Sequence, residues 1–467
     1  MKTKLLICIT LILTAGSVSV PAQETVAQVP MRLSPDMAVD LAIRNNLALE
    51  SARINTGTAR RAADLSWNRF IPSVDVSGSA LRTNNATPIQ IPGTRDVQWL
   101  LVGSLSATLN FSFAMIEDMN RLRLEHERGL ISYANARSRL ELDVRKTYHN
   151  MLLLQENIAL LHESLENADR QVQIAQANFN AGLAPELALL QARVARENLR
   201  PVIEQAESGL RLLMMQFSML LGLPHEAEFE LMPVDTAPVP LAMDTRELIG
   251  RAVSGNLDIQ ELRQTILVAE SGRQAMSLGM FTPFMSLGWN ADPTFTGNIF
   301  TNNSWFDGIG SGSNWNQQSG AFRFTVGFNL NGLLPFGAGR QELRAVEDQI
   351  SIANIGLAQM IRGTEIQIHN LMLTLERIQL TMDALEQTVA LAERSFALTE
   401  QAYASGLVDL FQVQNAEMSL RQARVQLYEQ QFNYLNGLLD LEYALGVPFG
   451  SLASGGRATP AGNLRNR

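Results

Sequence analysis

The stretch WLLVGSLSATLNFSF, residues 99–113, has two chemically opposite faces, and the rest of the chain is organised around that contrast. In a pleated strand, Leu101, Leu105, Ala107, Leu109, Phe111 and Phe113 fall on one side, while Ser104, Ser106, Thr108, Asn110 and Ser112 fall on the other. FRFTVGFNL, residues 322–330 within a strand expected at about 320–330, repeats the pattern: Phe322, Phe324, Val326, Phe328 and Leu330 oppose Arg323, Thr325, Gly327 and Asn329. Two weaker strands precede these. One covers about 72–82, with Val74 and Val76 opposite Ser73, Asp75 and Ser77; the other covers about 283–291, with Met285, Leu287 and Trp289 opposite Ser286 and Asn290. A soluble sheet over a core would explain such strands. So would a wall facing lipid, since each is near the roughly 9–11 residues that a tilted bilayer-spanning strand uses.

Composition narrows the choice. With 467 residues, 46% hydrophobic and 18% charged, and a formal net charge of −9, the chain has room for several domains and is not a disordered polyanion. Its acidity argues against a nucleic-acid partner. Residues 1–22 read as a secretory signal: Lys2 and Lys4 form the basic start, Leu5 to Thr14 the apolar core, and Val20-Pro21-Ala22 the cleavage site. The one cysteine, Cys8, lies in that core, so the exported chain is expected to carry neither a disulfide nor a lipid-bearing cysteine. No later run reaches eighteen apolar residues; Leu210 to Leu223 is short and is broken by Arg211 and Gln216. Any passage through a bilayer therefore falls to the strands.

Between the strands the period changes. Ser34-Pro35-Asp36 opens a helix expected to run to about Phe70, where Ile71-Pro72 begins the first strand; residues 84–96 form the loop to the second. From about Met119 apolar residues recur in threes and fours: Leu140, Val144, Tyr148, Met151 and Leu154 begin a seam that continues to Ala175 and Phe179. Such a helix would hold roughly 60 residues and measure about 90 Å at 1.5 Å per residue. Ala181-Gly182-Leu183-Ala184-Pro185 turns the chain into a return helix, which Pro201 should kink or divide at a junction. Leu221-Gly222-Leu223-Pro224 ends it, and an irregular link rich in proline follows, spanning 225–243.

Then the order of elements begins again. Asn256-Leu257 answers Asn46-Leu47, and Phe281-Thr282-Pro283 answers Phe70-Ile71-Pro72. Residues 293–320, rich in Gly, Asn and Ser, read as a long solvated loop; Gly308, Gly310 and Gly312 do not complete a phosphate-binding fingerprint. A second seam runs from Val346 through Ile368, Leu375, Met382 and Phe396 to Tyr403. Phe179-Asn180-Ala181-Gly182-Leu183 is answered by Tyr403-Ala404-Ser405-Gly406-Leu407, and Leu221-Gly222-Leu223-Pro224 by Leu445-Gly446-Val447-Pro448. The expected organisation is two structural repeats, 23–224 and 244–448, each with a helix, two strands and a long helical hairpin. A disordered tail, 449–467, follows.

Four strands cannot close a barrel, since roughly eight are the fewest that closed barrels use, and an open sheet edge in lipid leaves backbone groups unpaired at several kcal/mol each. Copies of the chain must complete the wall. Two would supply eight strands and a nearly filled interior; three would supply twelve and a watery one.

These residues resemble the TolC-like outer-membrane efflux channels. The resemblance spans essentially the whole mature chain and rests on the duplicated order of elements, the junctions at Phe70-Ile71-Pro72 and Phe281-Thr282-Pro283, and the two glycine turns. It implies a mainly α fold with a transmembrane β-barrel: a homotrimer whose twelve strands form one barrel in the outer membrane of a Gram-negative bacterium. Long antiparallel coiled-coil hairpins continue it as a twelve-helix tube (an α-barrel) across the periplasm. The implied function is the exit duct of a tripartite efflux or type I secretion system, with a periplasmic adaptor (membrane fusion protein), an inner-membrane pump and outer-membrane lipid as partners. Phe179, Gly182, Leu183, Tyr403, Gly406 and Leu407 would form the periplasmic tip that docks the adaptor. Gate candidates are Asp409, Gln412 and Asn415; members with gate carboxylates place them where this chain has Gln412 and Asn415, and Asp409 equally suits a helix cap. The barrel lumen would be lined by Asp75, Ser104, Ser106, Thr108, Asn110, Arg323, Thr325 and Asn329.

Enzyme chemistry finds no footing. The histidines at 126, 149, 162, 225 and 369 lack a paired ligand spacing, so no metal or cofactor is expected, and no nucleophile motif appears. The competing reading is a periplasmic coiled-coil adaptor or scaffold with soluble β-domains. Trp99, Trp289, Phe111 and Phe322, near interface heights on the greasy faces, favour the channel.

Overall fold

The computed structural model describes residues 31–82, 99–227, 229–237, 244–295, 315–316 and 320–452. The expected signal segment, the 84–96 loop and the end of the tail lie outside the described residues. Two helices dominate: α3 (Phe113–Asn180, 68 residues) and α7 (Ala338–Ala404, 67 residues), each about 100 Å long at 1.5 Å per residue. Each is followed by a shorter return helix, α4 (Glu186–Leu220) after α3 and α8 (Leu410–Leu445) after α7. In the half nearer the glycine turns the lateral order is α4, α3, α8, α7.

Toward the sheet the return helices give way to α2 (Leu47–Asp64) and α6 (Leu257–Phe281), and the order becomes α2, α3, α6, α7. The short helices α1 (Pro35–Asn45) and α5 (Thr245–Gly255) lie at the changeover. The first helix is thus not continuous to Phe70: it breaks at Asn46, and residues 66–70 form a separate 3₁₀ turn. Asn46 caps α2, its Oδ1 accepting from the N–H groups of Ala48 and Leu49 at 3.0 Å, while its Nδ2 donates to the Leu220 carbonyl at 2.9 Å. Asn256 does the same, Oδ1 accepting from Ile259 N–H and Nδ2 donating to the Ala444 carbonyl, both at 3.1 Å. A residue that satisfies a new helix start and the end of a distant helix makes the break worthwhile.

The apolar core follows the seams. Val144, Tyr148, Phe217 and Phe229 are fully or almost fully buried in one cluster, and Ile368, Met382, Tyr434 and Leu441 in a second; a third joins Ala175, Leu189, Tyr403 and Val413 near the turns. The link between the helical hairpin and α5 is not wholly irregular. Its β4 (Phe229–Leu231) pairs in parallel with β1 (Met31–Leu33), and the Tyr148 hydroxyl lies 2.7 Å from both the Leu33 and Met232 carbonyls. Pro201 sits inside α4 without interrupting it. Nor is the start of the tail loose: the buried Glu442 carboxylate accepts from the N–H groups of Gly450 and Leu452 at 2.8 Å.

The sheet is antiparallel, in the order β2 (Ser73–Arg82), β3 (Trp99–Ser112), β5 (Phe284–Ala291), β8 (Gly320–Gly327). β6 (Thr294–Phe295) and β7 (Trp315–Asn316) prolong it inside what reads in sequence as solvated loop. The extension exists because β5 is bulged at Asp292-Pro293: the Pro293 carbonyl still accepts from Gly103 N–H at 2.9 Å, and pairing with β3 resumes beyond. The fourth strand stops at Gly327, short of the expected 330, and residues 330–333 turn as a 3₁₀ helix.

Candidate channel wall and periplasmic tip

Directly paired residues in an antiparallel sheet share a face, so the register sorts the side chains. Asp75 pairs with Ser106 and Ser106 with Asn290. Thr108 pairs with Gly288 and Gly288 with Arg323; Asn110 pairs with Ser286 and Ser286 with Thr325. Ser104 pairs with Ser77 and its hydroxyl donates to Asp292 Oδ1 at 2.6 Å. The opposite face carries the rows Val74, Ala107, Trp289, Phe322; then Leu109, Leu287, Phe324; then Phe111, Met285, Val326. Apart from residues such as Phe284 and Val102, which fall on the polar side, one face is wet and the other greasy along the four strands. Asn329 lies beyond the last strand and Phe113 opens α3, so both leave the sheet.

Phe284 breaks the alternation in a way the sequence does not announce. It pairs with Ser112 and Gly327 on the polar side, and its ring occupies the space a side chain at Gly327 would take. On the greasy side, Phe70 and Phe113 extend the apolar surface past the strand ends, their rings 6.2 and 5.8 Å from that of Phe111.

At the other end of the molecule both hairpins close on the same reverse turn. Gly182 and Gly406 adopt φ of +71° and +75°, the left-handed region where a side chain is strained. Gly182 N–H bonds to the Phe179 carbonyl and Leu183 N–H to that of Asn178; Gly406 and Leu407 repeat this on Tyr403 and Ala402, at 2.8 to 3.0 Å. These pairs of bonds satisfy carbonyls that a helix end leaves orphaned. The turns project Leu183 and Leu407, 79% and 80% exposed, while Phe179 is partly exposed and Tyr403 is buried in the core cluster. Tyr403 is therefore a packing residue at the base of the tip and not part of its surface. Pro185 sits at the cap position, one residue before α4.

Asp409 caps α8: its Oδ1 accepts from Gln412 N–H at 3.0 Å. Gln412 and Asn415 are exposed on the first turns of the same helix. Among the described residues no group of three or more His, Cys, Asp or Glu is placed to hold a metal ion.

Sequence periodicity missed the polar links between the two hairpins. The seam positions are apolar, but α3 and α8 meet through Arg424, which bonds Glu163 at 2.7 Å and reaches Glu393 of α7 at 2.6 Å, through Lys146 and Asp440 at 2.5 Å, and through His149 and Asn436 at 2.9 Å. Closer to the tip, Glu417 accepts from Gln171 Nε2 at 3.1 Å and Asn167 Nδ2 at 3.4 Å, among buried Ser164, Asn167 and Gln171. Burial raises the Glu417 carboxyl above its ordinary value, against the hydrogen bonds from Gln171, Asn167 and Ser164 and the charge of Arg421, which lower it. The folded chain then holds this proton more tightly than the unfolded one. The stabilisation is complete below the unfolded value near 4.5 and is lost as pH rises through the folded value. Thermal melts from pH 7 toward 4.5 should show this contribution growing; Glu417→Gln should flatten it and stabilise the chain at pH 7 by about 1 kcal/mol. An unchanged pH dependence in that variant would contradict the assignment.

Fold and site meet known proteins at this point. The chain is similar to CusC, studied for folding and transmembrane channel formation, at 18% identity and a TM-score of 0.70 over 93% of this chain and 98% of that one. It is similar to the CmeC outer membrane channel of Campylobacter jejuni at 17% identity and a TM-score of 0.71, over 88% and 85%. The outer membrane protein VceC of Vibrio cholerae matches at 17% identity and a TM-score of 0.68, over 89% and 96%. At such identities the likeness is one of fold. No curated protein sequence matches significantly. The sequence profile of the outer membrane efflux proteins, which are transport channels and not enzymes, matches residues 38–211 and 290–447. With more than half of its length matched by that profile, the chain belongs to the outer membrane efflux protein family.

Proposed function

We propose that this protein is the exit duct of a tripartite export assembly, passing substrates from an inner-membrane pump across the periplasm and the outer membrane. The observation that carries the reading is that both lateral borders of the chain are unfinished. Among the described residues, β2 and β8 each have a strand partner on one side only, at the two edges of a sheet with one greasy face. An open edge in lipid costs several kcal/mol per unpaired group. The helical layer ends likewise in α4 and α7, both of which expose apolar residues: Leu190 and Met215 on α4, Leu373 and Leu398 on α7.

Closure by three copies gives twelve strands around a lumen wide enough for water, with Asp75, Ser104, Ser106, Thr108, Asn110, Arg323 and Thr325 facing inward. The four long helices of each copy continue as a twelve-helix tube. Each chain is read as two structural repeats, 23–224 and 244–448, supported by the matching roles of Asn46 and Asn256 at the helix breaks. The tip, with Phe179, Gly182, Leu183, Gly406 and Leu407 around it, is the docking surface for a periplasmic adaptor. Asp409 is committed to its cap, and Gln412 and Asn415 present neutral amides at the gate position.

The test is the state of the mature chain extracted from outer membranes. A heat-modifiable species of about three chain masses, conducting ions in planar bilayers, is expected. Recovery as a water-soluble monomer would overturn the reading.

A further inference from the structure

We propose that a pocket on the inner face of the helical layer, where α4 gives way to α2, is a resting site for lipophilic organic cations in passage. This rests on the duct reading above and adds to it a site and a class of cargo.

The pocket has a volume of about 730 Å³ and is lined by Leu47 of α2, Leu213 and Met219 of α4 and Leu223 just beyond it, with Asp143 and Lys146 of α3 at its edge. Small-molecule sites span roughly 300–1,000 Å³ and pair an apolar lining with a few charged groups, as here. Leu47 and Met219 are 82% and 75% exposed, so large apolar side chains stand in water around it. It arises because the two helix ends meet through Asn46, whose amide donates to the Leu220 carbonyl, and leave an open angle against α3.

The helical wheel of α3 places the pocket on the duct side. Arg145 and Tyr148 turn toward the small elements that cover one face of the layer: Arg145 bonds Asp36 of α1 at 2.8 Å, and the Tyr148 hydroxyl meets the Leu33 and Met232 carbonyls. At about 100° per residue, Lys146 and Asp143 lie roughly 160° and 140° round the helix from Tyr148, on the uncovered face. Eighteen residues make five turns, so Glu125 and Arg128 share the side of Asp143 and Lys146, whereas the exposed Leu130 shares that of Tyr148. The charged side of α3 thus continues the polar face of the sheet, which the duct reading turns inward.

Charge selects the occupant. Lys146 is held by Asp440 of α8 at 2.5 Å, and Arg139 is engaged by Tyr443. Among the described residues Asp143 forms no ion pair, and its carboxylate stands free at the edge of the apolar lining. Asp258 and Glu261 of α6, both accepting from Asn135, add to the acidity, so four carboxylates face the two cations Arg139 and Lys146. An apolar body with a positive charge matches such a site. The architecture itself does not demand it. At the offset that relates Gly222 to Gly446, Asp143 and Lys146 correspond to the uncharged Gln367 and Asn370, and Met219 to Tyr443. There the Tyr443 hydroxyl lies 3.1 Å from Asn135 Oδ1, and Leu375 packs onto Gly437, the counterpart of Leu213, so the second repeat fills the angle that the first leaves open.

The experiment titrates rhodamine 6G, a fluorescent lipophilic cation, into the mature chain assembled in lipid nanodiscs, with empty nanodiscs as the blank. Saturable binding of about one dye per chain is expected, and fluorescein, an anion of similar size, should bind at least about tenfold more weakly. Asp143→Asn should weaken rhodamine 6G by about tenfold or more, the worth of a contact to a charged group. Met219→Trp should fill the pocket and abolish saturable binding. Both positions are exposed, so neither substitution disturbs the packed core. A conducting oligomer that binds rhodamine 6G equally before and after these substitutions, or binds fluorescein as tightly, would overturn the pocket and leave the duct standing. A chain recovered as a water-soluble monomer would overturn the duct, and the resting site with it.

Discussion

Arginine in place of Leu105 is expected to keep the chain out of the outer membrane, whereas arginine in place of the adjacent Ser106 is expected to leave assembly intact and alter conductance. The two positions lie at the middle of β3 and are consecutive, so they differ in little except face: Leu105 pairs with Val76 and Ala291, Ser106 with Asp75 and Asn290. A charged guanidinium on the lipid face of a barrel costs about 2–4 kcal/mol near the midplane, and in the proposed three-copy ring that becomes roughly 6–12 kcal/mol per assembly. On the polar face the same group meets water and the carboxylate of Asp75. Fractionation and unheated gels report the first effect, and single-channel current the second. Equal tolerance at both positions would remove the case for a lipid-facing sheet.

The second large effect concerns glycines that look alike in sequence. Gly406 and Gly446 both adopt positive φ, +75° and +65°. A Cβ at Gly406 would meet nothing within 4 Å, but one at Gly446 would fall well under 3.0 Å from the backbone carbonyl of Gly255. Gly406→Ala should cost only the left-handed penalty, about 1 kcal/mol. Gly446→Ala must in addition push the end of α8 away from the α5–α6 junction and strain the bond from Asn256 to the Ala444 carbonyl, for roughly 3 kcal/mol or more. Thermal unfolding should separate the two clearly. Export should separate them in the opposite sense once bulk or charge is added: Gly406→Glu should assemble normally and fail to support transport, because it alters the surface proposed to dock the adaptor and not the core. Normal transport by that variant would contradict the role given to the tip.

The sequence determined much of this protein by periodicity. A step of two with serine opposite leucine fixed the faces of β3, and the register then set Asp75, Thr108, Asn110, Arg323 and Thr325 on one side of the sheet as read from alternation alone. A step near 3.5 with glycine turns at 182 and 406 fixed the long hairpins, because such spacing buries one stripe over many turns and only glycine takes the left-handed ending. Other features were invisible at that level because they depend on partners far away in the chain. Asn46 is an ordinary polar residue within a helical pattern until Leu220 comes close enough to accept its amide. The bulge at Asp292-Pro293 is a loop signal until β3 offers Gly103 N–H. Glu417 belongs to the polar set of its helix until α3 buries it beside Gln171 and Asn167. Periodicity records which face a residue prefers, and it is local; which distant group receives a hydrogen bond, how deeply a charge is desolvated and whether a glycine meets backbone or open water are decided only when the elements pack.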